Sequence, residues 1–250
     1  MQIELIRHAT LLVDYAGVRL LVDPMLSDAG AMAPIQNSPQ PRKNPLVPLP
    51  RPAKKILEDV QAVLVTHTHR DHWDDAAAQL LPKDLQIFCQ PEDLEKMQTA
   101  GFQHATAVSD SIHLGSMSIT RTAAQHGTGE IAKAMAPSSG YVLKSAHHPT
   151  LYITGDTVWY EEVAATIAKH HPEAIVMNAG GARFLEGDPI TMTAEDVIQV
   201  ARAAPQAVLI AVHMEAINHC LLTRKELTDA TLAAGIKVLT PADGERLGSC

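Results

Sequence analysis

The 250-residue chain has little of what marks specialised architectures. Three cysteines, Cys89, Cys220 and Cys250, are too few for a disulfide framework and form no CxxC pair, so a stapled miniprotein is excluded and a cytoplasmic setting is expected. Basic residues are the minority, 20 against 28 acidic ones. The net charge of -8 offers no general attraction to phosphate backbones or anionic bilayers. The longest basic cluster is the pair Lys54 and Lys55. With only 3 Phe, 4 Tyr and 2 Trp there is no basic or aromatic segment for a long polynucleotide. The longest apolar run, Ala207 to Met214, contains His213 and falls well short of the roughly 20 residues a membrane helix needs. The opening MQIELIRHATLLV is broken by Glu4 and Arg7 and is followed by no small-residue cleavage site, so no signal peptide is expected.

What remains is a folded chain, 46% hydrophobic and 19% charged, read as one domain spanning residues 1–250. Its first strands are expected at Ile3 to Ile6, Thr10 to Tyr15 and Val18 to Val22, then at Ala62 to Val65 and Leu85 to Cys89. Residues 27–52 carry seven prolines and predict a long loop without regular structure. Asp74 to Leu81 and Pro91 to Ala100 predict helices, Ile112 to Leu114 with Met117 to Arg121 a hairpin, and Tyr141 to Lys144 with Leu151 to Thr154 a second strand pair. The last third alternates: helices at Trp159 to His170, Thr193 to Ala204 and Thr223 to Ala234, strands at Ala174 to Met177, Ala207 to Val212 and Lys237 to Leu239. Meanders early and alternation later predict layered α/β or α+β packing.

Histidine is abundant, with 13 residues. The sharpest cluster is T66-H-T-H-R-D-H-W-D74, directly after an apolar strand. His67 and His69 point to one side of an extended segment and can converge on one metal; Asp71 and His72, where the chain turns into a helix, can face a second. Four residues cannot complete two catalytic sites, so the remaining ligands are sought at strand ends, which hold side chains rigidly. His126 in A124-Q-H-G-T128, Asp156 in T154-G-D-T157 and His213 in V212-H-M-E215 occupy such positions.

This order of motifs resembles the metallo-β-lactamase fold superfamily, over most of the chain. The resemblance implies an αββα sandwich of two mixed β-sheets flanked by helices. It also implies one metal on His67, His69 and His126, a second on Asp71, His72 and His213, and Asp156 bridging both. I6-R-H-A-T10 followed by L21-V-D-P24 looks further like the branch that includes ascorbate-6-phosphate lactonase, although Arg7 stands where Gly is usual.

Two divalent ions sharing a water lower its pKa toward neutrality and polarise the group under attack. Asp71 is the side chain best placed to carry the proton. The chemistry expected is hydrolysis of a small ester or lactone, anionic handles included. A phosphodiesterase or nuclease on the same metals is the alternative, and a non-catalytic metal-binding sensor a third. Imidazole and carboxylate donors suit zinc first, then manganese or iron. Asp23 is expected to accept a hydrogen bond from a ligand imidazole, and His8 to approach the site from the first strand. Glu215, Asn218 and His219 are candidate substrate contacts, and Arg42, Lys43 and Arg51 of the proline-rich loop candidate anchors for an anion. The partner is thus a small molecule, with no membrane, no long nucleic acid and no oligomeric state implied.

Overall fold

Apolar runs pair β1 (Gln2–Arg7), β2 (Thr10–Tyr15) and β3 (Val18–Val22) into an antiparallel meander in the computed structural model, which describes residues 1–135 and 137–248. Ala16 and Gly17 join β2 to β3 with φ of 51° and 81°, the positive values whose twist matches a tight hairpin. Parallel to β3 follow β4 (Ala62–Leu64), β5 (Gln86–Cys89) and β6 (His104–Ala107); β13 (Arg246–Leu247) closes the opposite edge of this seven-stranded sheet against β1. A six-stranded sheet runs β12 (Val208–Val212), β11 (Ala174–Asn178), β10 (Leu151–Ile153), β9 (Ser139–Lys144), β8 (Met117–Ala123), β7 (Ser111–Leu114). Strands β10 to β12 are parallel and the rest antiparallel.

The sheets bury their inner faces against each other: Leu5, Val13, Leu20 and Leu64 share one core with Ile119, Leu143, Ile153, Val176 and Ile210. Burying each such side chain stabilises by about 1.5–3 kcal/mol relative to exposure. The outer face of the first sheet packs with α1 (Ala53–Ile56), α2 (Asp75–Leu80) and α3 (Leu94–Thr99) through Ile56, Ala77 and Met97. That of the second is covered by α5 (Glu161–His170), α6 (Ala194–Ala203) and α7 (Arg224–Ala233) through Val163, Val197 and Leu227. The result is the αββα sandwich. A short α4 (Gly129–Ala134) follows the strand-end loop after β8.

Local signals act where expected. Asp74 caps α2 by accepting from Ala77 N, and Thr223 with Glu226 forms a reciprocal capping box. Two expectations are corrected. Lys237 to Leu239 forms no strand, only a bridge from Leu239 to Ile210, because the chain leaves the sheet edge at once. Helix α5 starts at Glu161 rather than Trp159. Strands β6 and β13 carry no apolar run and exist through pairing alone. Among the described residues no helix is long and apolar enough to cross a membrane.

Candidate metal centre

One edge of the sandwich collects the ends of strands from both sheets, the usual place for sites in layered α/β folds. After β1, His8 turns at φ 61°; after β3, Asp23 does so at 43°; after β12, His213 at 70°. Such left-handed conformations cost a non-glycine residue about 1 kcal/mol or more and persist only where surroundings impose them. His213 N donates to His8 O (2.9 Å), tying the two sheets at this edge. Beyond β4, the amides of His72 and Trp73 donate to His69 O (2.9 and 2.8 Å), a single turn that swings Asp71 and His72 back beside His67. Trp73 is buried edge-on against Phe102, their ring centres 5.5 Å apart.

His67 Nε2 lies 3.0 Å from His69 Nδ1, which is 3.3 Å from His126 Nε2. A second group gathers His8, Asp71, His72 and His213: His72 Nε2 is 3.1 Å from His213 Nε2, and Asp71 Oδ2 lies 3.1 Å from His8 Nε2 and 3.7 Å from His213 Nε2. Asp156 stands between the groups, Oδ2 3.5 Å from His126 Nε2 and 3.3 Å from His72 Nε2, Oδ1 3.3 Å from His213 Nε2. All are buried except His69, which is half-buried.

The outward nitrogens are held by further partners. His126 Nδ1 donates to Ile190 O (2.7 Å), which leaves Nε2 a bare lone pair aimed at the Asp156 carboxylate. His72 Nδ1 meets Asp23 Oδ2 (2.8 Å), and Thr66 supports both Asp23 and His67 Nδ1. Lone pairs that converge on each other and on carboxylate oxygens repel unless positive charge sits among them, so the donor set fits metal ions. Electrostatics agree. Burial alone would raise the Asp156 and Asp71 carboxyls, yet the facing imidazoles, His213 and His72 for Asp156, His72 and His8 for Asp71, hold both well below the carboxylate range. Burial opposes charge on His72, but Asp156, Asp71 and Asp23 hold its imidazole well above the usual value, so the field favours a cation here.

A model of the beta-lactamase superfamily domain matches residues 18–214. The chain belongs to this superfamily. The UPF0173 protein YddR of Bacillus subtilis (strain 168) is 39% identical over 250 residues, 98% of each chain. An isothiocyanate hydrolase from Delia radicum gut bacteria has a solved structure with TM-score 0.95 and 39% identity over 99% of both chains. A possible metal-dependent hydrolase from Veillonella parvula DSM 2008 superposes with TM-score 0.96 at 32% identity, covering 99% of this chain and 98% of that one. Metal-dependent hydrolysis is accordingly the activity class of this superfamily member.

The flanking residues divide. His8 and Asp23 face the cluster as described. Burial, with His213 beside it, pushes the His8 imidazole down to about 3, so it is neutral at pH 7. His219 is buried beside the cluster with its ring 6.1 Å from Phe184. Glu215 and Asn218 are each held by protein partners. Glu215, itself at φ 63°, accepts from Arg224 N and pairs with its guanidinium at the start of α7. Asn218 is wholly buried under the proline-rich segment, where Oδ1 accepts from Ile35 N (3.0 Å) and Asn44 Nδ2 (2.7 Å) and Nδ2 donates to Ile35 O, Ser38 Oγ and Gln40 O. Arg51 is drawn away from the site by buried Glu4 on β1. Arg7 points away from the metal cluster, donating to the carbonyls of Met25, Ser27 and Val47; burial lowers its guanidinium to about 10, still charged at neutral pH. Arg7 and Asn218 thus both brace residues 27–52.

Asn218→Ala should cost roughly 2–4 kcal/mol, because Ile35 N and the Asn44 amide lose their acceptor inside the protein. Denaturant titration measures the loss, and limited proteolysis should cut first within residues 27–52. Burial also lowers His219 to about 4 from its ordinary 6.5. Between those values the unfolded chain binds a proton that the folded one refuses, so stability present above pH 6.5 falls by roughly 3 kcal/mol as pH drops to 4. His219→Gln should flatten that slope in denaturation curves at pH 4.5, 5.5 and 6.5; an unchanged slope would assign the dependence elsewhere.

Residues that the motif reading missed also act here. Asn178, a polar end to the buried run AIVMN, donates to Asp156 Oδ1 (2.7 Å) and sets its orientation. Cys220 Sγ lies 3.5 Å from His213 Nδ1. The first has a signal in sequence, a lone amide closing an apolar strand; the second has none.

Proposed function

We propose that the protein holds two divalent ions and hydrolyses a small organic electrophile, with isothiocyanates, lactones and simple esters as substrate classes. The observation that carries the reading is the convergence of two histidine groups on Asp156. His67, His69 and His126 would hold one ion, Asp71, His72 and His213 the other, and Asp156 both. The donors are imidazole and carboxylate without thiolate, which suits zinc first, then manganese or iron. Such ions supply a water acidified toward neutrality and polarise the atom under attack.

The chain's own residues supply the rest. Asp23 and the Ile190 carbonyl orient the imidazoles, and Asn178 orients Asp156. His8 Nε2 donates to Asp71 Oδ2, fixing that carboxylate so that its other oxygen can take a proton from the nucleophile and pass it to the leaving atom. The solved relative at 39% identity is an isothiocyanate hydrolase, which makes that class the first probe. In R–N=C=S, addition of water to the central carbon gives R–NH–C(=O)–SH; cleavage of the C–N bond then yields R–NH2 and O=C=S. Both water protons end on nitrogen. In an ester or lactone one water proton goes to the leaving oxygen and the other stays with, or is released from, the acid product.

The net charge of -8 speaks against long polynucleotides as partners, and the free, buried Cys89 and Cys220 accord with a cytoplasmic setting. The test is metal stoichiometry by elemental analysis on protein supplied with zinc or manganese. On the same sample, kcat/KM is measured for an alkyl isothiocyanate, a lactone, a nitrophenyl ester and a bis(nitrophenyl) phosphate. Two ions per chain and preference for a carbon electrophile are expected. Absence of metal, or preference for the phosphodiester, would overturn the proposal.

A further inference from the structure

An apolar groove of about 650 Å³ lies between α4 and the loop at residues 184–186, with Ile131 and Met135 along one wall and Phe184 and Leu185 along the other. It adjoins the metal centre through three links. Its α4 wall begins three residues after His126, and the intervening Gly127 is so tightly enclosed that a Cβ there would lie 2.9 Å from Ile190 and 3.3 Å from Ile131. Ile190 in turn accepts from His126 Nδ1. On the other wall, Phe184 reaches His219. Ile131, Met135 and Phe184 pack on a buried cluster that includes Met32, Ile190 and Cys220, so the groove's floor shares Ile190, whose carbonyl holds His126, and Cys220, whose thiol lies against His213.

Among the described residues, nothing covers the open side of this groove. Leu185 is 66% exposed, and Phe184, Ile131 and Met135 are only half-buried. Exposed apolar surface beside a cluster of polar donors is the composition of a ligand pocket, and the volume falls within the roughly 300–1,000 Å³ such pockets span. Met135 adds a side chain that adapts to different shapes. Glu186 also lines the groove and repels an anionic occupant.

We infer that the groove receives the uncharged, apolar body of the substrate, a medium-length alkyl chain or a single aryl ring, while the reacting carbon lies at the metal centre. The placement of the reacting end rests on the function proposed above; the placement of the body rests on the groove. A phosphate- or carboxylate-tailed substrate is disfavoured at this surface.

The experiment compares kcat/KM for methyl and n-hexyl isothiocyanate with the metal-loaded full chain. Each fully buried methylene is worth roughly fourfold, so partial cover of five predicts at least about a tenfold preference for the hexyl compound. Leu185→Asp and Met135→Asp, changes at surface positions, should collapse that ratio toward unity at unchanged metal content. Leu232→Asp on α7, also at an exposed leucine (61%), should retain it. Equal rates for both compounds in the wild type, or variants that keep the preference, would overturn the inference. A second readout is independent of turnover: 1-hexanol titrated into protein with 13C-labelled Met and Ile methyls should shift Met135 and Ile131 saturably, and less in Leu185→Asp. Hexanol shifts without turnover of either isothiocyanate would refute the hydrolase reading for this class and keep the groove. Turnover with shifts elsewhere would refute the groove alone, and neither would refute both.

Discussion

Asp71→Asn should lower turnover by about 10²- to 10⁴-fold while much of the bound metal stays in place. The side chain is buried, ionised by the imidazoles around it, and clasped by His8 Nε2 at 3.1 Å. Asparagine has nearly the same shape and one carbonyl oxygen, but no negative charge and no basic site. Its amide must also turn away from the His8 N–H or meet it donor to donor. Proton delivery therefore suffers more than metal retention. The measurements are steady-state rate and metal stoichiometry, beside Asp110→Asn at an exposed position before β7. Equal, small rate losses in the two variants would remove Asp71 from the reaction.

Gly180→Ala should cost at least about 10²-fold in rate although Gly180 is none of the proposed ligands. An added Cβ would lie 2.2 Å from the backbone oxygen of His213, 3.0 Å from its Nδ1 and 3.1 Å from Cys220 Cβ. A backbone oxygen cannot swing aside. The chain beyond β11 must part from the end of β12, carrying His213 away from Asp71 and Asp156. The loss should appear as reduced occupancy of one metal together with the rate defect. Gly115→Ala is the contrast: in the β7–β8 turn at φ 59° a Cβ meets nothing within 4 Å, so only about 1 kcal/mol of stability and no rate should be lost. Comparable activity of the two variants would refute the argument.

Elements whose own residues carry the information were legible in sequence. The β1–β3 meander and the Thr223 capping box are local matters of apolar pattern and hydrogen-bonding chemistry, and both stand where the sequence places them. The strand-end residues His67, His126, Asp156 and His213 could be nominated because a motif and a strand's terminus are both readable, and the structure brings them together. Glu215 and Asn218 could not be placed, because their partners are remote or lie across a turn. Asn218 meets Ile35 and Asn44, more than 170 positions away, and only the folded path of residues 27–52 reveals this. Arg7 illustrates the same limit. In sequence it is only an arginine where a motif has glycine, whereas in three dimensions it grips three carbonyls of the adjoining segment. Strand β6, an edge strand of residues HATA, has no periodicity to read and is defined by β5.

The two sheets are laid down one after the other along the chain, β1 to β6 and then β7 to β12, and among the described residues only β13 returns to the first. His8, Asp23, His67, His69, Asp71 and His72 therefore belong to one contiguous stretch, and His126, Asp156, His213 and His219 to the next. A gene divided between the codons for the exposed Ser109 and Asp110 would encode two polypeptides, neither with a full complement of donors. Activity recovered on co-expression would report their reassociation in trans, which makes this edge of the sandwich a natural seam for fragment complementation.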